Sequence, residues 1–402
     1  MIQTISQLFF WVLAALVIYT YFGYVFLLSI LARLFRVGGK SDPEFSPQVS
    51  LLISVYNERQ VIREKLENSL ALDYPKEQLQ ILVVSDYSDD GSDDIVSQFS
   101  ARGVLLLRQP ERLGKSVGLN LGVSQASGEI LLFSDANAIY QPDVVRKLVC
   151  HFADPQVGYV VGNARYAKAS GDAPAAESEG LYWKLETWLK EKESQFGSVV
   201  GGDGAIYAIR RELFSPLRAT DINDFLNPLQ IIARGYRGLY EPKAVCYEEA
   251  GDSFEKEFGR KVRIISRSLY AVRRAPVVLL PWTQPRHWFA LISHKVLRWF
   301  VPVFLILLFL ANLFVLQYRF YQVALLLQLM FYVLAACGWA MKNRKKTPPV
   351  FYLPYYFCLV NLASLLGVFK SLSGSLSPTW QTVRQETRPE RNPGTPLPKS
   401  ES

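Results

Sequence analysis

The chain has 402 residues, enough for two domains, and 50% of them are hydrophobic against 20% charged, a balance too apolar for an ordinary soluble protein. A net charge of +8 invites nucleic acid as a partner, but the basic residues gather beside apolar segments, at 33–40, 260–274 and 342–346. Anionic lipid headgroups are the nearer counter-charge there, so the expected partner is a phospholipid membrane and not nucleic acid.

Residues 1–32 contain no charged side chain and exceed the ~20 apolar residues that cross a bilayer, so 1–40 is predicted to be a retained transmembrane anchor. Arg33, Arg36 and Lys40 follow it, and the positive-inside bias places them, with the soluble middle, in the cytoplasm. The expected location is an integral one in a bacterial-type inner or plasma membrane. Cys150, Cys246, Cys337 and Cys358 show neither pairing nor metal-ligand spacing, which fits a compartment without structural disulfides.

Residues 41–48 read as a linker. Apolar runs at 49–55, 79–84, 104–107 and 130–133 lack polar alternation and read as buried parallel strands. Helical patterns separate them, one beginning near Arg59 and another after Gly114-Lys115-Ser116, so the expected class is α/β with a doubly wound, mostly parallel sheet. Acids gather where the strands end: Tyr56-Asn57-Glu58, Ser85-Asp86 with Asp89 and Asp90, and Ser134-Asp135-Ala136-Asn137. Ligands bind at that edge of such sheets. Gly114-Lys115-Ser116 is not a phosphate loop, because the glycine needed five positions earlier is Gln109. Asp135 and Asn137, two residues apart, suit a hard divalent cation, Mg²⁺ or Mn²⁺; a strand end closed by an Asx turn is the plainer reading. Taken singly, Asp86 and Asp90 read as turn or cap residues, Lys115 as a solvated cation, and Asp89 and Asp93 as surface charges.

Taken in order, Ser54-Val55-Tyr56-Asn57-Glu58, then Val83 through Ser92, then Gly114-Lys115 with Leu119-Asn120, then Asp135-Ala136-Asn137, resemble the signatures of family 2 glycosyltransferases. Thr220-Asp221-Ile222-Asn223-Asp224 stands where that family carries Thr-Glu-Asp, ahead of Gly235-Tyr236-Arg237. The likeness covers roughly residues 48–274, and the flanking apolar segments look like those of membrane-integrated polysaccharide synthases. It implies a GT-A fold at 41–275 and transfer of a sugar, with inversion, from a nucleotide diphosphate donor, most often a UDP-sugar, to a lipid-linked or glycan acceptor. It also implies roles. Asp224 matches the general base; Tyr56, Asn57, Glu58, Asp86, Lys115, Asp135 and Arg263 fall on the nucleotide-sugar side. Asp135 and Asn137 match the metal–diphosphate site, and Gly202 and Asp203 the acceptor side. Read alone, Asp224 is a helix cap and 201–204 a flexible loop.

Three departures qualify the resemblance. Asn137 replaces the second acid of Asp-x-Asp, which removes a charge from the metal site, and Asn223 replaces the acid before the base. Processive relatives carry Gln-x-x-Arg-Trp, whereas this chain has Arg260-Lys261-Val262-Arg263-Ile264, so Arg263 remains but the sugar-stacking ring does not. A long-polymer synthase is disfavoured.

The basic stretch 260–274 also suits a helix lying on the membrane. His287, Trp288, His294, Lys295, Arg298 and Trp299 give 276–299 an interfacial composition, and His151, His287 and His294 are expected to be structural. Uncharged runs at 300–318, 320–341 and 347–369 make 300–370 a set of membrane segments, the first two as a tight hairpin and the third interrupted by Pro354. Residues 371–402 form a tail, expected to be partly disordered. Two other functions compete: a nucleotide-binding pseudoenzyme scaffolding polysaccharide assembly and export, motivated by Asn137 and Asn223, and a small transporter. The apolar segments carry no charged or glycine-broken substrate path, which ranks the transporter last.

Overall fold

The computed structural model describes residues 2–167, 174–249, 254–342 and 347–376, so the expected disorder of the tail falls largely outside the described residues. The chain begins with helices Ile2–Ile18 (α1) and Tyr24–Leu34 (α2), joined through a π turn at Tyr19–Gly23. There follow Val49–Val55 (β1), Ile62–Leu70 (α3), Leu79–Ser85 (β2), Ser92–Ser97 (α4), Val104–Arg108 (β3), Lys115–Ser124 (α5) and Ile130–Asp135 (β4). Next come Ile139–Tyr140 (β5), Val144–Val149 (α6), Val157–Ala167 (β6), Pro174–Phe196 (α7), Tyr207–Arg210 (β7), Asn223–Ala233 (α8) and Arg237–Glu249 (β8). The chain continues with Phe254–Arg274 (α9), Pro285–Ala290 (α10), Leu297–Leu313 (α11), Arg319–Ala340 (α12) and Pro349–Leu372 (α13).

One mixed sheet, in the order β3-β2-β1-β4-β7-β6-β8-β5, organises the domain. β1 pairs in parallel with β2 and β4, β2 with β3, and β6 with β8, whereas β7 runs antiparallel between β4 and β6. The expected parallel strands are all present. Because side chains alternate faces, an unbroken apolar run serves two cores at once. Leu51, Ile53 and Val55 enter one with Leu66, Val83 and Val145; Leu52 enters the other with Leu119, Phe133, Leu229 and Ile232. A Cβ at Gly122 would stand 2.7 Å from Leu52 Cδ2 and 2.8 Å from Val84 Cγ2, so α5 rests directly on the sheet. That contact seats Lys115, at the start of α5, above the strand ends.

Among the described residues, four helical runs, 3–34, 285–313, 319–340 and 349–372, are long and apolar enough to cross a membrane. Residues 291–296 form a π segment that makes α10 and α11 one continuous run. α11 and α12 make a helical hairpin across the turn at 314–318. Pro354 lies inside α13 without breaking it, as neighbouring helices in membrane proteins commonly permit. A Cβ at Gly367 of α13 would come within 2.9 Å of Ile265, so α9 and α13 are in close contact.

α2, α7 and the 285–313 run meet in a buried polar cluster. Tyr24 Oη donates to Glu193 Oε1 at 2.9 Å, His294 Nδ1 lies 2.6 Å from the same oxygen, and Glu186 pairs with His294, Lys295 and Arg298. Glu193 Oε2 accepts from the Val200 amide, which ties this cluster to the loop before 201–204. His151 lies 2.7 Å from Glu241, and among the described residues neither it nor His294 faces a metal-ligating set. Asp93 is a correction: it is 8% exposed, not a surface charge, because Arg108 reaches back from β3 to pair with it at 2.5 Å. Asp89 accepts the Asn57 amide at 2.8 Å.

Candidate active site

Parallel register alone brings the predicted residues to one edge. Val55 is opposite Ser85 and Ser54 opposite Asp135, so Tyr56 and Asn57, Asp86 and Asp135 leave three adjacent strands side by side. Two non-glycine residues there, Asn57 and Tyr87, adopt left-handed backbone with φ of 54° and 62°. Such strain persists where surrounding structure holds it, commonly at ligand sites. At Asn57 the hold is visible: its amide N–H donates to Ser88 Oγ and its side chain exchanges hydrogen bonds with Asp89. The Glu58 amide donates to Ser92 Oγ, and Arg112 stacks 3.8 Å over the Tyr56 ring.

Asp86 does more than close a turn. Its Oδ1 accepts from the amides of Leu113 (2.9 Å) and Gly114 (2.8 Å) and from Gln109 Nε2 (2.7 Å), while Oδ2 is buried with no hydrogen-bond partner among the described residues. Burial raises its pKa above the ordinary value against the pull of the two amides. A buried oxygen without a donor is costly, and a nucleoside N–H is the kind of group that would satisfy it. Gln109, which excludes the phosphate loop, thus holds the Asp86 carboxylate.

Lys115, Asp135 and Asp224 converge on Gly204. Lys115 Nζ pairs with Asp135 Oδ1. A Cβ added to Gly204 would lie 3.3 Å from Asp224 Oδ2, 3.6 Å from Asp135 Oδ2 and 3.6 Å from Lys115 Nζ. The missing side chain leaves the space over which two carboxylates and an ammonium face one another. Gly202 makes the adjoining contact, its amide donating to the Asp224 carbonyl at 2.6 Å. Asp203 pairs with Lys190 of α7 at 3.0 Å.

Asp224 sits in the first turn of α8, where Ile222 is the N-cap residue and no side chain caps the helix. Its Oδ1 is buried without a hydrogen-bond partner among the described residues, and burial raises its pKa above the usual carboxylate value, opposed by Lys115 and reinforced by Asp203 and Asp135. A carboxylate so lifted is a better proton acceptor than one in water. Asn223, in the place of an acid, donates its amide to Tyr207 Oη at 2.8 Å, a packing task that an acid would perform differently. Asp221, fully buried, fixes the loop: its carbonyl accepts from Ser116 Oγ and its carboxylate lies 3.7 Å from Arg274 of α9.

Arg263 and Arg267 of α9 both feel Asp224; burial lowers the Arg263 pKa, and burial beside Arg263 lowers that of Arg267 to about 10. Asn137 is half-buried two residues beyond Asp135. No group of three His, Cys, Asp or Glu side chains among the described residues is arranged to cage a metal. That donor set fits Mg²⁺ or Mn²⁺ shared with a diphosphate, which needs only one or two protein oxygens, and does not fit an all-protein site.

Two buried groups escaped the sequence reading. Glu248, 9% exposed near the end of β8, interacts with Asp135, Asp203 and Lys115, and burial with those acids raises its pKa. Its signal was an acid ending an apolar strand, the same as that of Asp135. Lys65 is fully buried beneath the loop after β4, donating to the Ala138 carbonyl at 2.5 Å with Nζ 3.8 Å from the Tyr140 ring centroid; burial lowers its pKa to about 7. Its signal was a lysine on the apolar face of a helix, with Ile62, Leu66 and Ser69.

Residues 50–218 match the family model for Glycosyl transferase family 2. The chain is 28% identical over 241 residues to the "Probable glycosyltransferase YdaM" of Bacillus subtilis (strain 168), covering 56% of this chain and 56% of that protein. It is 25% identical over 252 residues to the "Poly-beta-1,6-N-acetyl-D-glucosamine synthase" of Staphylococcus aureus (strain COL), covering 59% of this chain and 60% of that one. The matches thus span little more than half the length of these curated relatives. The fold superposes on the mannosyltransferase PcManGT from Pyrobaculum calidifontis, solved with GDP-Man and Mn²⁺, with a TM-score of 0.69 at 20% identity over 92% of this chain and 99% of that one. At that identity the likeness is one of fold, and the fold is GT-A-like, as the motifs implied.

Proposed function

We propose that the protein, whose residues 50–218 match the model for glycosyltransferase family 2, is an inverting membrane glycosyltransferase that moves a hexose from a nucleoside diphosphate donor to an acceptor at the membrane. The observation that carries the reading is the convergence of Asp224, Asp135 and Lys115 over Gly204, beside the unsatisfied Asp86 oxygen. It combines a raised, buried carboxylate with a cation and a second carboxylate at the sheet edge where nucleotides bind.

The nucleoside lies along Tyr56, Asn57, Glu58 and Asp86, with Asp86 Oδ2 accepting from the base. The diphosphate lies toward Lys115, Asp135, Asn137 and Arg263. An acceptor hydroxyl, placed by Gly202 and Asp203, attacks the anomeric carbon as the bond to the diphosphate oxygen breaks; its proton passes to Asp224, and the nucleoside diphosphate leaves with the bonding electron pair. Lys115 and Arg263 oppose the charge that develops on that leaving group. A divalent cation held by Asp135 and Asn137 would supply further charge neutralisation there. The names of the relatives, which include a polymer synthase and a mannosyltransferase crystallised with a nucleotide sugar and Mn²⁺, support this substrate class. The apolar helices and positive-inside bias support a catalytic domain on the cytoplasmic face. The buried use of Asn223 removes one motive for the pseudoenzyme alternative.

The test is nucleoside diphosphate release by the full chain in lipid, across UDP-, GDP- and other nucleotide sugars, with Mg²⁺ or Mn²⁺ and with chelator. Release from one donor, abolished by chelator, is expected. Donor binding without release from any member of the panel, with membrane lipid extract present, would transfer the assignment to the scaffold.

A further inference from the structure

A cavity of about 530 Å³ opens between α9 and α13, outside the donor edge of the sheet. Its polar lining includes Arg263, Arg267 and Lys370, and no acid lines it among the described residues. Arg267 is 8% exposed, so its guanidinium is fixed in the wall. Ser266 and Ser375 add hydroxyls, and Val262 and Phe258 on α9 with Leu366 on α13 make the apolar part of the wall. Two arginines on α9, facing a lysine and apolar side chains on the membrane-type helix α13, are complementary to an amphipathic anion. α13 also exposes Leu366, Phe369 and Leu372 beside Lys370, which continues the apolar wall outward. The same two arginines of α9 interact electrostatically with Asp224, which relates this wall of the cavity to the reacting centre. The close contact at Gly367 keeps α9 against α13.

We infer that this cavity binds the phosphate headgroup of a lipid, with Arg267 and Lys370 as its anchors, and that the glycan acceptor is carried on that lipid. The inference rests on the transferase reading and names its acceptor class. Arginine and lysine together select phosphate over a neutral sugar, because a guanidinium matches phosphate oxygens in a fork and an ammonium adds a point charge. The chain of the lipid follows the exposed face of α13 into the bilayer. A sugar attached at the phosphate then extends toward Asp224 past Arg263.

The experiment uses the full chain in phosphatidylcholine nanodiscs with a long-chain polyprenyl phosphate as the probe, and dodecyl phosphate, dodecanol and inorganic phosphate as competitors. Lys370→Glu and Arg267→Gln are compared with wild type, and donor binding is measured on the same samples as the folding control. Binding of the polyprenyl phosphate is expected to weaken at least ~10-fold in each variant, with dodecyl phosphate competing and dodecanol not. Equal potency of inorganic phosphate and dodecyl phosphate would overturn the lipid assignment in favour of a free-phosphate site. Unchanged lipid-phosphate binding in both variants, with donor binding intact, would overturn the site altogether. Arg267→Lys separates lost charge from lost packing, because it restores binding only if charge is what the lipid reads. Failure of donor-dependent release with lipid-phosphate binding intact would instead count against the transferase reading alone.

Discussion

Replacing Gly204 by alanine asks whether the three side chains meet where the structure puts them. The backbone at 204 needs no left-handed φ, so alanine is conformationally permitted and stability should change by no more than ~1 kcal/mol. The added methyl would stand 3.3 Å from Asp224 Oδ2 and 3.6 Å from both Asp135 Oδ2 and Lys115 Nζ. It therefore pushes the base by a few tenths of an ångström and fills the space between base and diphosphate. A misplacement of about 1 Å costs roughly 10²-fold in rate, so a loss of ~10- to 10²-fold in turnover is expected, about 1.4–2.7 kcal/mol. Nucleoside diphosphate release reads the loss, and thermal unfolding confirms the fold. Gly38→Ala is the control, because nothing lies within 4 Å of its added Cβ. Full turnover in Gly204→Ala, with the fold intact, would show that Asp224, Asp135 and Lys115 do not share a reacting space.

Further outcomes follow from individual contacts. Lys115→Met leaves Asp135 without its cation and is expected to weaken donor binding by ~10-fold or more, read by nucleotide titration. Glu193→Ala strips the buried His294 and Tyr24 of their shared acceptor and should lower stability by about 3 kcal/mol, seen as a fall in thermal midpoint in detergent. Burial opposes the charge on His151, but hydrogen bonds to Cys150 and Glu241 outweigh it and raise its pKa from 6.5 to about 9. The folded pKa exceeds the unfolded one, so the stabilisation is fully present below pH 6.5 and is lost as pH rises through about 9. Allowing for the water that reaches the pair, it amounts to about 1–2 kcal/mol. Glu241→Gln should reduce that slope in a pH series of unfolding midpoints; an unchanged slope would assign it to other contacts of His151.

The four strands β1 to β4 were legible because burial on both faces writes itself as unbroken apolar runs, and register then carried Asn57, Asp86 and Asp135 to one edge; β5 to β8 were not read from the sequence. Asp224 was legible through its spacing from Gly235-Tyr236-Arg237, although its company with Gly204 was not, since that contact joins a loop to a helix. Asp93 was misread because it lies on α4 while its partner Arg108 lies on β3, and charge alone does not reveal that a cation will fold over it. Lys65 and Glu248 were overlooked for a related reason: each is a charged group whose burial is offset by tertiary neighbours. The cavity between α9 and α13 needed two helices about a hundred residues apart, and no local pattern joins Arg267 to Lys370.

The most direct test of the transferase reading sets donor binding beside sugar transfer in Asp224→Asn. The amide keeps the shape of the side chain but accepts no proton, so donor affinity should stay within about threefold while transfer falls by at least ~10²-fold, the range typical of a lost general base. Transfer at the wild-type rate, with the same donor bound, would remove Asp224 as the base and with it the chemistry assigned to the space over Gly204.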